Sequence, residues 1–143
     1  MMGAAPIEVT RPTQDELKHL FTLAKSTFGE VGGWSDEQVL AALESDVVFV
    51  AHERMQPAGY VALRRDTPAT IVVEQLFVAP GHEQHGVAHR LLAFAEGYAI
   101  AERMQALRVV VEEPNWRARD FYRRSGFVPI DAELLELVLP RPD

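Results

Sequence analysis

The spacing of apolar residues changes along the chain and predicts alternating strands and helices. The segment IEVTRP is a short strand candidate, and it is followed by apolar residues that return every three to four positions, as on one face of a helix. These residues are Leu17, Leu20, Phe21 and Ala24. Thr13 and Glu16 have the spacing of a capping box at the start of this helix, and Gly29 is the candidate for its C-terminal end. The pattern therefore predicts a first strand and a first helix.

The period changes from helical to strand-like near Asp46. Before it, Ser35 and Gln38 repeat the capping signature ahead of EQVLAALES, which predicts a second short helix. After it, β-branched and aromatic runs alternate with turn-forming residues. The runs are DVVFVAHER, GYVALRRD and TIVVEQLFVAP. Three successive antiparallel strands are the natural interpretation.

In the second half of the chain, predicted helices alternate with predicted strands. A helix is predicted from about Val87 to Met104, and ALRVVVEEP is a continuous apolar run typical of an interior strand. NWRARDFYRRSG predicts a helix capped by Asn115 and ended by Gly126, and FVPI and ELLELVLP predict the last strands. The order β-α-α-β-β-β-α-β-α-β-β, with a strand-helix-strand crossover at residues 70–111, predicts two parallel strands in an otherwise antiparallel sheet.

Composition limits the classes of function. The 143 residues fit one domain, expected from about residue 6 to 140 with flexible ends at 1–5 and 141–143. A formal net charge of −7 opposes non-specific binding to nucleic acid or to an anionic membrane. The chain has no cysteine, and it opens without a basic segment followed by a long apolar run. We therefore expect a cytoplasmic protein without a thiolate site, a nucleic-acid partner or a membrane partner.

Residues 77–90, FVAPGHEQHGVAHR, join a predicted strand to the long helix. Such a turn can offer backbone N–H groups to a phosphate, although this one carries Glu83 and three histidines instead of a glycine-rich, basic sequence. His82, His85 and His89 would share a face only if the whole segment were helical, and HEQH lacks the spacing of the HExxH metal motif. The sequence favours solvated loop histidines, and we predict no metal site.

Several of these segments resemble the GCN5-related N-acetyltransferase family, which transfers an acyl group from coenzyme A to an amine. EQLFVAP, the loop and helix, LRVVVEEPN and ARDFYRRSGF occur at the family's usual spacing. The most specific part is the Nxx(A)xxFYxxxGF segment, where several residue types coincide at fixed offsets. The resemblance implies an α/β (α+β) fold with a mixed, mostly antiparallel central sheet flanked by about four helices.

The resemblance also implies a coenzyme A site. The family's loop pattern, Arg/Gln-x-x-Gly-x-Gly/Ala, falls on Glu83, Gly86 and Ala88, so that the first position departs from it. Main-chain N–H groups would surround the pyrophosphate at Gln84, His85, Gly86, Val87 and Ala88. The main chain of Phe77 and Val78 is implied as the partner of the thioester and the pantetheine arm, and Asn115 as a further pantetheine contact beside its capping role.

The catalytic roles implied by the family fall on a tyrosine and a carboxylate. Tyr122 would protonate the departing thiolate, with a surface packing role as the alternative. Glu74 is the candidate base, with an ordinary solvent-facing strand glutamate as the alternative, and Glu112 and Glu113 end the neighbouring strand. The acceptor walls would come largely from FGEVGGWSDEQ, including Trp34, and from the last strands.

The function expected from the sequence is acetyl transfer from acetyl-coenzyme A to a primary amine of a small molecule or a peptide. The substituted position at Glu83 keeps a second possibility open, a ligand sensor or protein-binding module with weakened catalysis. A third, a structural homodimer, would use ELLELVLP as a paired or exchanged edge strand. Oligomeric state and acceptor are left open.

Overall fold

The computed structural model describes residues 6–26, 35–37, 40 and 47–140. Within them lie seven strands and three helices. In chain order these are β1 (Ile7–Thr10), α1 (Gln14–Ala24), β2 (Val47–Glu53), β3 (Gln56–Thr67), β4 (Thr70–Val78), α2 (Val87–Ala101), β5 (Ala106–Val110), α3 (Trp116–Arg124), β6 (Val128–Pro129) and β7 (Leu134–Val138). The predicted end of the first helix at Gly29 lies outside the described residues, and so does most of the second predicted helix.

The strands form one seven-stranded sheet in the order β1-β2-β3-β4-β5-β7-β6. β4 and β5 are parallel, with Thr70 opposite Ala106, whereas β1 with β2, β5 with β7 and β6 with β7 are antiparallel. The mixed, mostly antiparallel sheet with one parallel crossover is thus confirmed, as is the interior place of β5. β7 is paired on both sides, so ELLELVLP is not an edge strand.

The helix ends follow local capping chemistry. At the start of α1 the Thr13 hydroxyl accepts the Glu16 N–H at 3.2 Å, and the Glu16 carboxylate accepts the Thr13 N–H at 2.9 Å, which confirms the capping box. α2 ends at Ala101, before the predicted Met104, because Arg103 adopts φ 60° and the Met104 N–H turns back to the Ala99 carbonyl at 3.0 Å. This is a Schellman-type stop without glycine.

The residues divide into two compact units that share β3, β4 and α2. The first unit contains the described residues up to Ala62 and residues Gln75–Phe94; the second contains Leu63–Glu74 and the described residues from Ala95 onward. The core of the first unit is formed by Leu20, Ala24, Val48, Val50, Tyr60, Ala62, Phe77 and Ala79. Buried residues of the second include Leu107, Val109, Tyr122, Phe127 and Leu135. Among the described helices, none is both long and apolar enough to cross a bilayer.

Candidate functional site

The end of β4 is held close to β3 in the first unit. The Ala79 N–H donates to the Ala58 carbonyl at 2.8 Å. A Cβ atom on Gly59 would lie 2.3 Å from the Phe77 carbonyl oxygen, so only glycine allows this approach. The Phe77 ring is buried with its centroid 5.4 Å from that of Tyr60. The main chain at Phe77 and Val78, where the sequence predicts coenzyme contacts, therefore has a fixed position.

Residues 79–86 form the β4–α2 loop, whose backbone changes handedness repeatedly. Gly81, Gln84 and Gly86 have φ angles of 89°, 64° and 84°. Residues of alternating handedness turn successive N–H groups toward one side and form an anion-binding concavity. The N–H groups of the first turn of α2 have no acceptor within the helix, and the helix dipole favours a negative charge there. The loop thus has the backbone of an anion site.

A groove of about 550 Å³ runs beside the start of α2. Pro6 and Ile7 line one part of it, and the other lining residues are His85, Gly86, His89, Arg90 and Ala93. The side chain of Arg90 carries a permanent positive charge in this groove. The contribution of residues 6 and 7 was not predicted, because nothing in the sequence links the first strand to this loop.

The Glu83 carboxylate turns back onto its own loop. Its Oε2 atom accepts the Gly81 N–H at 2.8 Å. Hydrogen bonds from its own N–H and from the Gly81 N–H hold the pKa of the Glu83 carboxyl below its usual range. Glu83 therefore carries its negative charge at neutral pH, and its carboxylate is hydrogen-bonded to the Gly81 N–H near the start of the loop.

A second feature of the loop is a cluster of Glu53, His82 and His85, called the Glu53 cluster below. His82 Nδ1 lies 2.6 Å from Glu53 Oε1, and His85 Nδ1 lies 2.8 Å from Oε1 and 3.0 Å from Oε2. Glu53 is buried at the end of β2. The hydrogen bonds from His85 and then His82 lower the pKa of the Glu53 carboxyl. Sequence spacing could not reveal this cluster, because its carboxylate comes from 29 residues earlier.

In the second unit, Tyr122 lies on α3 and is buried. Its ring packs edge-on against Phe121 and Phe127, at centroid distances of 5.2 and 5.3 Å. Burial raises the pKa of the Tyr122 phenol well above its usual range, so the hydroxyl keeps its proton at neutral pH. The residue has the protonation state that a general acid needs, and its burial is also what a core residue shows.

Asn115 caps α3, as the sequence predicts. Its Oδ1 atom accepts the Ala118 N–H at 3.3 Å. The side-chain amide nitrogen takes no part in this cap. At the other end, Gly126 has φ 100° and the Phe127 N–H donates to the Tyr122 carbonyl at 3.0 Å. These two caps fix the length of the helix that carries Tyr122.

Glu74 is engaged by an arginine of the neighbouring strand. The Arg64 Nε–H donates to Glu74 Oε2 at 3.1 Å, and the Arg64 guanidinium also contacts Asp66 at 3.4 Å. The hydrogen bond to Glu74 raises the pKa of Arg64. Nothing in the sequence pattern predicts this pairing.

The predicted acceptor segment is mostly outside the described residues. Trp34 and the glycines before it belong to that part. Asp36 is described, and its carboxylate lies 3.3 Å from the Lys25 ammonium. This acid is therefore paired within the first unit rather than presented alone to a cationic substrate.

Comparisons with known proteins agree with the order of elements. The model described as "Acetyltransferase (GNAT) family" matches residues 17–127. A curated relative, the "Uncharacterized N-acetyltransferase YhfO" of Bacillus subtilis (strain 168), is 27% identical over 92 residues. That match covers 64% of this chain and 59% of the relative's length.

Two solved structures illustrate the likeness of the fold. The PaiA N-acetyltransferase from Thermoplasma acidophilum, solved in complex with coenzyme A, has a TM-score of 0.75 and 19% identity, over 93% of this chain and 99% of that one. The aminoglycoside 6'-acetyltransferase type Ii has a TM-score of 0.78 and 14% identity, over 94% and 99%. At these identities the likeness concerns the fold.

Proposed function

Because the chain belongs to the GNAT acetyltransferase family, we propose that it transfers an acetyl group from acetyl-coenzyme A to a primary amine of a small molecule or a peptide. The observation that carries the proposal is the β4–α2 loop, with positive φ at Gly81, Gln84 and Gly86 before the start of α2. A backbone of this kind suits a pyrophosphate. The groove with Arg90 adds positive charge beside it.

The residues fit the coenzyme through main-chain groups more than through side chains. In the proposal, the N–H groups of Gln84, His85, Gly86, Val87 and Ala88 bind the pyrophosphate. The backbone of Phe77 and Val78 pairs with the pantetheine arm as an added strand would, and the Asn115 amide contributes a further contact. Because backbone donors do not depend on residue type, the replacement of the usual residue by Glu83 weakens such a site without removing it.

The chemistry needs a neutral amine and a proton for the leaving group. The amine nitrogen attacks the thioester carbonyl, the C–N bond forms, and the C–S bond breaks to release the thiolate of coenzyme A. Tyr122 gives its phenolic proton to that thiolate. Glu74 takes the proton that the amine loses, directly or through water, and its carboxylate also accepts the Arg64 Nε–H. No covalent enzyme intermediate is required.

Two measurements test the proposal together. Calorimetric titration of acetyl-coenzyme A measures binding, and a thiol-reactive chromophore measures coenzyme A release during turnover with a panel of amines. The chain contains no cysteine, so the chromophore reports only product thiol. Binding together with amine-dependent release is expected. Absence of binding would reject the acetyltransferase assignment for this chain.

The charge of Glu83 favours one alternative, a ligand sensor of the same fold. Such a protein would bind acetyl-coenzyme A but release no thiol with any amine of the panel. Amine-dependent thiol release by the unmodified protein therefore separates the two possibilities.

A further inference from the structure

We propose that Glu53, His82 and His85 form a binding site for a divalent transition-metal ion, with Zn²⁺ as the first candidate. The proposal concerns the Glu53 cluster alone and does not require acetyl transfer or coenzyme binding. It differs from the sequence-based prediction of no metal site, which had considered only His82, His85 and His89 on one helical face.

Three possible ligand atoms from different parts of the chain lie close together. One nitrogen from each imidazole and one carboxylate oxygen lie within 4.8 Å of one another. In a tetrahedral zinc site with bonds of about 2.0–2.1 Å, neighbouring ligand atoms are about 3.3 Å apart. His82 Nδ1 and His85 Nδ1 lie 2.6 and 2.8 Å from the same Oε1 atom. An ion therefore needs only a local opening of well under 1 Å at each of these contacts.

The donor set is the one that zinc uses where a coordination position stays open. Two imidazoles and one carboxylate leave the fourth position of a tetrahedron for water or another ligand. Imidazole nitrogen selects Zn²⁺ and other transition metals over Mg²⁺ and Ca²⁺, which prefer oxygen. In the hydrogen-bonded arrangement Nδ1–H groups face the carboxylate, and moving these protons to Nε2 frees both Nδ1 lone pairs for the ion.

The site has both a rigid base and an entry path. Glu53 is the last residue of β2, and the next two residues, Arg54 and Met55, adopt φ 52° and 64° in a tight turn that normally favours asparagine and glycine. Strained backbone of this kind is often retained beside functional groups. A cleft of about 400 Å³ is lined by all three proposed ligands and by Arg54, Gln56, Pro80 and Gly81. The exposed imidazole of His85 lies at its open side.

The charges around the Glu53 cluster favour the binding of a cation. Glu53 supplies one buried negative charge. Glu83, the next residue after His82, adds a second carboxylate on the same loop, where it accepts the Gly81 N–H. Arg54 opposes a cation, but its side chain is exposed and its charge is screened by solvent. The net field at the ligand atoms is therefore negative when the histidines are neutral.

The test is zinc binding to the metal-stripped full chain. Competition with a chromophoric chelator should give one Zn²⁺ per chain, with Mg²⁺ unable to compete. Glu53→Gln, His82→Gln and His85→Gln should each weaken binding by more than about tenfold, since outer-shell partners alone can be worth that much. His89→Gln and His19→Gln are matched controls and should leave the affinity unchanged.

Cobalt substitution gives a readout that does not depend on the variants. One equivalent of Co²⁺ should produce the visible absorption of a four- or five-coordinate ion in the unmodified protein, and Zn²⁺ should abolish it. Thermal unfolding of each variant identifies any that fails to fold. A chain that binds no Zn²⁺ and gives no cobalt spectrum would overturn the proposal, as would equal loss of affinity in the His19→Gln and His85→Gln proteins.

Discussion

The Glu83 carboxylate accepts the N–H of Gly81 at 2.8 Å, so the one loop residue that departs from the family pattern is hydrogen-bonded to the start of its own loop. The side chain accepts a hydrogen bond from the loop, as a phosphate oxygen can. Its negative charge, however, lies next to the proposed pyrophosphate site.

Removing the charge at Glu83 should strengthen coenzyme binding. Glu83→Gln keeps an oxygen acceptor for the Gly81 N–H and removes only the repulsion, which solvent partly screens, so the affinity should rise by a few-fold. Calorimetry with acetyl-coenzyme A at low and high salt measures the gain, which should shrink at high salt. Glu133→Gln, an exposed glutamate of the second unit, is the control. Equal affinities of the Glu83→Gln and unmodified proteins would show that this charge does not reach the ligand.

Gly86 should be required for its backbone conformation and not for lack of space. Its φ is 84°, and a Cβ atom would meet no heavy atom within 4 Å. Gly86→Ala should therefore cost about 1–2 kcal/mol of stability and weaken acetyl-coenzyme A binding.

Gly97 on α2 is the matched control for that substitution. A Cβ atom there also meets nothing within 4 Å, and the residue has ordinary helical geometry. Gly97→Ala should raise the free energy of unfolding by up to about 1 kcal/mol, measured in urea. If both variants changed stability in the same direction, backbone conformation at Gly86 would not be the cause.

Tyr122→Phe should lower turnover while leaving the fold intact. The ring contacts with Phe121 and Phe127 remain, and only the hydroxyl is lost. For a general acid we expect kcat to fall by about 10²–10⁴, with little change in the Kd for acetyl-coenzyme A. Thiol release and calorimetry measure the two quantities. A variant with unchanged kcat would assign Tyr122 to packing alone.

Substitutions of Arg64 and Glu74 test whether Glu74 is the catalytic base or only one partner of a surface ion pair. If Glu74 accepts the amine proton, Glu74→Gln should lower kcat by about 10²-fold or more. Arg64→Gln removes the guanidinium that donates to Glu74 and should lower kcat less than Glu74→Gln does, because the carboxylate that accepts the proton is still present. If both substitutions change only stability, by less than about 1 kcal/mol, the pair is structural.

A buried polar pair gives a stability test in the first unit. The Tyr60 hydroxyl donates to Gln75 Oε1, and the Gln75 Nε2 atom has no hydrogen-bond partner among the described residues. Tyr60→Phe leaves the amide without its remaining partner and should cost about 1–3 kcal/mol. Tyr60→Phe combined with Gln75→Leu should recover most of that loss, because the double variant removes both polar groups. A purely additive double variant, measured by urea unfolding, would contradict this account.

The sequence by itself determined the features that depend on neighbouring residues. The capping box at Thr13, the caps of α3 at Asn115 and Gly126, and the strand pattern that begins after Asp46 all act over a few positions, and each appears in the described residues. The crossover at residues 70–111 also followed from the order of elements, because a strand, a helix and a strand of these lengths return in parallel. The Arg103 stop escaped prediction because non-glycine residues rarely adopt that conformation.

Only the tertiary structure decided which side chains meet across the sheet. Glu53 lies 29 residues before His82, and Arg64 lies ten before Glu74. Such pairs depend on strand register and on the handedness of the β4–α2 loop. A shift of one residue in the register, or a change of one φ angle in the loop, would turn these side chains in another direction. The backbone conformation of the β4–α2 loop and the Glu53 cluster therefore arise from long-range geometry that periodicity does not encode.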